Sequence, residues 1–435
     1  MAAKKTESKK VAKKTTKKAA TRKPPPQREA LPNVNWGNQT MTEKDEALNA
    51  WVNSVNTPEH KRVVRADEAP NTYFLRRPVG PIELDIDLGG GFPAGGCSMV
   101  SGPDNAGKTW LILKAMAFQQ RIYGHNCRLS YAVTEGSFPF DQAVNAGMKV
   151  KVPDEMISQW QTWRMLRGIP VWTDEEVQQL FKQEIGKLWI VRGLTGEDLL
   201  QTMLDGIRTN GLSMIACDSI AGLLPDDDAT KKMDDRDKMA AQAAMMTKFF
   251  RKYSPTTTGL MGPNLTTLLF TQQVRANTER ANANPMQRKY IKLWTVAGAY
   301  ASKHFKLIDL YVWNGKTLRK GAEGTGDVVG KMLKWQIEKG KAGTRDNLGG
   351  EAAWYYGRGG TDDIGELFAS GVRRGVIHTA GKGVVVVRPD TGEVLNEFKA
   401  PTQKAFRKML EVDPEFEFAL RREILTSAGK QCLYQ

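Results

Sequence analysis

Residues 97–116 read Cys97-Ser98-Met99-Val100-Ser101-Gly102-Pro103-Asp104-Asn105-Ala106-Gly107-Lys108-Thr109-Trp110-Leu111-Ile112-Leu113-Lys114-Ala115-Met116. The apolar opening predicts a strand and the apolar close predicts a helix. Between them lies G-x-x-x-x-G-K-T, from Gly102 through Pro103, Asp104, Asn105, Ala106 and Gly107 to Lys108 and Thr109. Strand, loop and helix in this order form the context that a phosphate-binding loop needs. Gly102 and Gly107 let the backbone curl so that its N–H groups face a polyphosphate, beside a helix N-terminus that favours anions. Lys108 is placed to lie along the β- and γ-phosphates, and Thr109 to offer its hydroxyl to Mg²⁺. The stretch predicts a site for a nucleoside triphosphate.

Outward from this loop the pattern repeats. Residues 128–133, 213–217 and 267–271 are apolar runs that each end in polar residues: Thr134-Glu135, Asp218-Ser219 and Gln272-Gln273. Strands alternating with helices predict an α/β fold with a mostly parallel sheet flanked by helices. Ligands of such sheets sit beyond the carboxyl ends of the strands, so these polar residues are candidates for one shared site. Asp218 suits the Mg²⁺ shell. Glu135 suits the orientation or deprotonation of an attacking water, and the amide of Gln273 suits sensing of the γ-phosphate. No N-K-x-D motif for guanine occurs, so ATP is the expected nucleotide.

The 435 residues allow about two or three domains. No apolar run reaches the 18 or so residues of a membrane-spanning helix, and the N-terminal stretch has no apolar signal core, so no membrane partner is expected. Cys97, Cys127, Cys217 and Cys432 are scattered and read as reduced thiols of a cytoplasmic protein. The net charge of +15 is concentrated in residues 1–28, where nine Lys and two Arg oppose one Glu. A tail of Lys, Ala and Thr cannot bury enough apolar surface to fold alone, and it suits phosphate backbones. The domains expected are a Lys-rich tail at 1–30, an assembly segment at 31–78, an ATPase core at 79–358 and a small α+β domain at 359–435. Within the second, Leu48, Trp51, Val52 and Val55 make a helical stripe, to pack on its own core or on a neighbouring subunit.

At this point the chain resembles the RecA-type strand-exchange recombinases, in particular phage recombinases of the UvsX kind. The resemblance runs from about residue 81 to residue 375. It rests on Leu84-Asp85-Ile86-Asp87-Leu88-Gly89-Gly90-Gly91-Phe92-Pro93, the phosphate loop, Thr195-Gly196-Glu197, residues 218–225, residues 270–275 and Ala299-Tyr300-Ala301-Ser302. It implies a RecA-like core with Glu135 as catalytic glutamate and Gln273 as the residue that couples ATP to DNA. It also implies that Lys339 and Lys341, in Glu338-Lys339-Gly340-Lys341, reach a neighbour's ATP as arginine fingers do. Two loops are expected to hold single-stranded DNA. The first, near 226–237, carries Lys231 and Lys232. The second, from 275 to about 296, carries Arg275, Arg280, Arg288, Lys289 and Lys292 with Tyr290 and Trp294 as stacking candidates.

Two features stand apart. Between Glu135 and Asp218 lie 82 residues, and about 152–187 reads as a two-helix insertion. Met156, Trp160, Trp163 and Leu166 form one stripe. Thr173-Asp174-Glu175-Glu176 reads as a capping box for a helix carrying Val177, Leu180, Phe181 and Ile185. Such an insertion covers its own core or binds a partner protein. In the C-terminal part, residues 384–388 and 393–398 predict a hairpin, with helices around 364–374 and 402–425. Arg373, Arg374, Lys382 and Arg388 are candidates for guiding duplex DNA.

The sequence thus predicts an ATP- and Mg²⁺-dependent ATPase. It would form a helical homo-oligomeric filament on single-stranded DNA and exchange it into a homologous duplex, in the nucleoid or in a phage host's cytoplasm. Single-strand-binding and loader proteins would be its partners. A hexameric replicative helicase and an ATP-gated DNA-organising protein are the alternatives.

Overall fold

The computed structural model describes residues 41–57, 63, 75–229, 241–257, 264–276, 294–296, 304–320, 326–341, 343–356, 360–381 and 383–430. The chain divides into two units, 1–63 and 64–435. In the first, helix α1 (Met41–Val55) occupies the predicted stripe. Beyond it the Asn56 amide donates to the Val63 carbonyl at 2.7 Å and accepts from its N–H at 2.9 Å.

The second unit opens with the short antiparallel pair β1 (Arg76–Arg77) and β2 (Phe92–Pro93), joined through helix α2 (Ile82–Asp87). Its main sheet begins with β3 (Cys97–Gly102), β4 (Arg128–Val133), β5 (Lys187–Val191), β6 (Met214–Asp218) and β7 (Thr267–Ala276). It continues with β8 (Trp294–Val296), β9 (Ile308–Arg319), β10 (Val328–Gly340), β11 (Gly349–Tyr355) and β12 (Gly360–Thr361). Across the sheet the order is β12-β11-β10-β9-β3-β7-β6-β4-β5, with β8 paired to β7. From β9 to β5 every neighbouring pair is parallel, and β9 to β12 run antiparallel. The predicted α/β class, with a mostly parallel sheet between helices, is the class observed.

The central parallel strands β6 and β7 are apolar on both faces, as strands covered on both sides must be. On β6, Met214 and Ala216 join one core cluster while Ile215 and Cys217 join the other; on β7, Leu269 opposes Leu268 and Phe270 in the same way. Helix α3 (Lys108–Tyr123) fills the first cluster with Leu111, Ile112 and Met116. The helices at Gly196–Arg208 and Ala241–Thr257 fill the second with Leu199, Leu204, Phe249 and Phe250. Cys97, Cys127 and Cys217 are buried free thiols. No helix among the described residues is long and apolar enough to cross a membrane.

The insertion forms helices at Asp154–Leu166 and Asp174–Phe181. The predicted capping box is complete: Thr173 Oγ1 accepts from Glu176 N at 3.2 Å, and Glu176 accepts from Thr173 N at 2.8 Å. Such a cap contributes about 1 kcal/mol. Trp160, Trp172 and Phe181 pack edge to face at 4.7–6.5 Å and rest on the first core cluster. Along the stripe Met156 and Trp160 are half-buried, and Trp163 and Leu166 are exposed. Ile185 falls beyond the second helix, which ends at Phe181.

In the C-terminal part the predicted hairpin forms between Gly383–Val387 and Val394–Ala400, and a third strand, Ile377–Ala380, joins it. Helix Asp363–Arg373 matches expectation. The region 402–425 is two helices, Gln403–Val412 and Pro414–Ser427, because Asp413 caps the second and Pro414 cannot continue the first. Their apolar cluster includes Ile82 and Ile86 of α2. A buried charge network crosses the same seam. Arg421, fully buried, donates to Gly80 O at 2.7 Å, Asp85 at 3.2 Å and Glu417 at 3.4 Å, and Glu417 also pairs with Arg121 of α3. Lys114 of α3 pairs with Asp363 at 2.8 Å.

Candidate functional site

The phosphate loop leaves β3 at Gly102, where a side chain would bring its Cβ to 2.2 Å from the Val312 carbonyl. Gly107, at φ +91, caps α3, and a Cβ there would meet the Trp354 ring at 2.9 Å. Both glycines are therefore required by close approach, and Gly107 also by its left-handed backbone. Lys108 folds back over the loop, donating to Gly102 O at 3.0 Å and Pro103 O at 2.7 Å. Burial holds its pKa below the usual lysine range, while Asp104, Asp218 and Glu135 pull it back up.

Register brings the other strand ends to this loop: Gly102 lies opposite Gln273, and Val133 opposite Asp218. The Asp218 carboxylate accepts from Thr109 Oγ1 at 2.6 Å, from the Tyr131 hydroxyl at 2.7 Å and from Thr271. Burial, and then the neighbouring Asp218 charge, push the Tyr131 pKa far up, so this hydroxyl stays protonated and donating. Glu135 accepts from Ser219 Oγ at 2.8 Å, and Thr134 Oγ1 donates to Ser219 O at 2.8 Å. The Asp218–Ser219 peptide is cis. Asp104, Asn105, Lys108, Thr109, Tyr131, Glu135, Asp218 and Gln273 all line one cleft of about 360 Å³. A threonine hydroxyl on a carboxylate, beside inward backbone and a lysine, fits a triphosphate with a hard divalent cation. The two oxygen donors for Mg²⁺ would be Thr109 and Asp218.

On the other side of the loop lies a second cleft, of about 450 Å³, which the sequence reading missed. It is lined by Trp110, Trp354, Tyr355, Tyr356, Gln142, Asn145 and Lys331 together with loop residues 105–109. Trp354 stacks on Trp110 at 4.9 Å and meets Tyr356 edge-on at 6.0 Å. The only local signal was the aromatic run Trp354-Tyr355-Tyr356.

Other predicted residues stand apart. Lys339 ends β10 and Lys341 follows it, and neither lines the two clefts. Burial lowers the Lys339 pKa, with the Lys341 and Lys306 charges adding to the effect. Lys231, Lys232, Arg280, Arg288, Lys289, Tyr290 and Lys292 lie outside the described residues, as do residues 1–40. Arg275 and Trp294 stand on the paired strands β7 and β8, with Arg275 opposite Thr295 and Trp294 opposite Ala276. Arg373 and Arg374 both bind Glu83, at 2.6 and 3.0 Å, and Arg388 binds Glu393 and Glu423 at 2.5 and 3.4 Å. Those three arginines are engaged in ion pairs, and Lys382 lies outside the described residues.

Residues 174–358 match the family model of the RecA N-terminal domain. The chain is 26% identical over 285 residues to Protein RecA of Prochlorococcus marinus (strain MIT 9303), covering 65% of this chain and 62% of that protein. It is 25% identical over 305 residues to Protein RecA of Bacteroides thetaiotaomicron, covering 70% and 75%. Against Protein RecA of Arthrospira platensis it is 26% identical over 301 residues, covering 69% and 67%. The chain thus spans under two thirds of the length of the Prochlorococcus relative.

Proposed function

We propose, from its likeness to the RecA proteins, that the chain is a RecA-type DNA-dependent ATPase. In this reading it polymerises on single-stranded DNA and exchanges that strand into a homologous duplex in recombination and repair. The observation that carries this is the convergence of Thr109, Glu135, Asp218 and Gln273 with Lys108 in one cleft. Lys108 exchanges its loop carbonyls for phosphate oxygens. Thr109 and Asp218 would hold Mg²⁺, which would supply charge neutralisation to the triphosphate when bound. Glu135 holds the attacking water in line and takes its proton, steadied by the Ser219 hydroxyl. Gln273 sits three residues before the end of β7, whose continuation past Ala276 leads into the basic segment 277–293, so a γ-phosphate contact there reaches DNA through the chain itself. The base lies in the aromatic cleft. Lys339 and Lys341 serve the nucleotide of a neighbouring subunit.

The test is ATP hydrolysis with and without single-stranded DNA, joined to electron microscopy with a non-hydrolysable ATP analogue. Stimulated turnover and a helical filament are expected. A closed ring that unwinds duplex without homology would replace this reading with a helicase. Nucleotide binding without DNA-stimulated turnover would replace it with an organising protein.

A further inference from the structure

Asn105, like Lys108, Thr109 and Gln142, lines both clefts. Its backbone is left-handed, at φ +57, a conformation that asparagine tolerates better than most residues but that still needs holding. Its carbonyl oxygen accepts two hydrogen bonds from outside the loop, from Lys331 Nζ at 2.6 Å and from Asn314 Nδ2 at 3.2 Å. Both donors come from the antiparallel strands more than 200 residues away, Asn314 from β9 and Lys331 from β10.

The lysine is itself tightly placed. It lies directly opposite Trp354 in the β10–β11 register, and its ammonium sits 4.5 Å from the centre of that ring. A register shift between Lys331 and Leu333 turns this part of β10 out of the regular ladder with β9. Burial lowers the Lys331 pKa, so the ammonium is partly stripped of water where it meets the carbonyl. The same Trp354 ring lies over Gly107 at the other end of the loop, where an added Cβ would meet it at 2.9 Å. Lysine and tryptophan therefore grip the loop at two points.

We propose that Lys331 is a positioning residue for the phosphate loop, its ammonium clamped between the Asn105 carbonyl and the Trp354 face. Pinning that carbonyl fixes the peptide plane after Asn105. The tight turn in which Ala106 N–H donates to Pro103 O at 3.3 Å is then kept in its anion-receiving shape. An ionised donor is suited to this because charge-assisted hydrogen bonds are roughly twice as strong as neutral ones. The proposal rests on the nucleotide-binding reading of the cleft, and it assigns β10 a task at its own subunit's loop.

The test compares Lys331→Met, which keeps the stem and removes the donor, with Lys331→Arg and with Lys334→Met. Lys334 is on the same strand and pairs with Glu351 at 3.0 Å, away from the loop. Lys331→Met is expected to raise the ATP Kd by calorimetry and the ATP KM about tenfold. Its kcat should stay within about twofold, and amide exchange of residues 104–107 should accelerate. Lys331→Arg should recover most of the affinity, and Lys334→Met should leave Kd, KM and exchange unchanged. Wild-type Kd or wild-type loop exchange in Lys331→Met would overturn the proposal. Faster exchange spread across β10 and β11 with a lowered Tm would also overturn it, by making Lys331 a sheet-packing residue. Failure of the unmodified protein to bind ATP would instead overturn the nucleotide-site reading beneath it.

Discussion

The two sides of the phosphate loop differ in chemistry and in origin. One is built from the carboxyl-terminal parts of β3, β4, β6 and β7, where three hydroxyls gather on the Asp218 carboxylate. The other is closed by the antiparallel strands β10 and β11, which bring Lys331 and Trp354, with Trp354 stacked on Trp110 of α3. The polar side has the groups for moving a proton and neutralising charge. The aromatic side has flat apolar faces, which bind without reacting. In the proposed reading the polar cleft sets the rate and the aromatic cleft the affinity.

The sharpest way to break it is Glu135→Gln, which keeps shape and removes the base. Turnover should fall by roughly 10²–10⁴ while ATP still binds; a parental rate would take Glu135 out of the chemistry. The converse is Trp354→Leu, which keeps an apolar side chain but loses the aromatic face. An aromatic pair is worth about 0.5–1.5 kcal/mol, so the ATP KM should rise by up to about tenfold with kcat within about twofold. A large fall in kcat instead would merge the two sides into one machine.

Deleting residues 1–28 removes a net +10 and no residue of either cleft. The slope of log DNA affinity against log salt should become shallower, since fewer counterions are released. ATP turnover without DNA should not move. An unchanged salt slope would mean that the tail does not touch the phosphate backbone.

The smallest effect is expected far from both clefts. Burial, reinforced by the Asp363 and Asp362 charges, pushes the Glu366 pKa up to about 8 from an ordinary 4.5. One of its oxygens, Oε2, is buried without a hydrogen-bond partner. The folded chain therefore holds a proton there that the unfolded chain releases. That contribution to stability is present in full below about pH 4.5 and is lost as the pH climbs through about 8. Glu366→Gln should flatten the fall of Tm between pH 5 and 9 by a few degrees, read by calorimetry, and leave KM and kcat alone. An unaltered pH profile would assign the titration elsewhere.

The polar cleft was legible because its information is local. Each of its strands is an apolar run closed by polar residues, so Glu135, Asp218 and Gln273 announce themselves within half a dozen positions. The aromatic cleft was not, because its assembly depends on register. Lys331 meets Trp354 only through the β10–β11 ladder and meets Asn105 only through the shift beside Leu333. Nothing near Lys331 in sequence separates it from a solvated lysine. The break at Asp413-Pro414 was present in the residues, yet two consecutive helices with continuous apolar spacing read as one region. The third strand, Ile377–Ala380, is four residues long and too short to show a period.

The two-helix excursion after Lys151 has a practical consequence. Its ends are tied together, with Val152 N–H donating to Phe181 O at 2.8 Å and Ile185 N–H to Lys149 O at 3.4 Å. A polypeptide whose entry and exit already touch is a natural graft port. The span between them can be exchanged for a short turn, or for a folded reporter whose termini lie close together, without asking β4 or β5 to change register. The one condition is that the replacement cover the apolar patch that Trp160, Trp172 and Phe181 now shield.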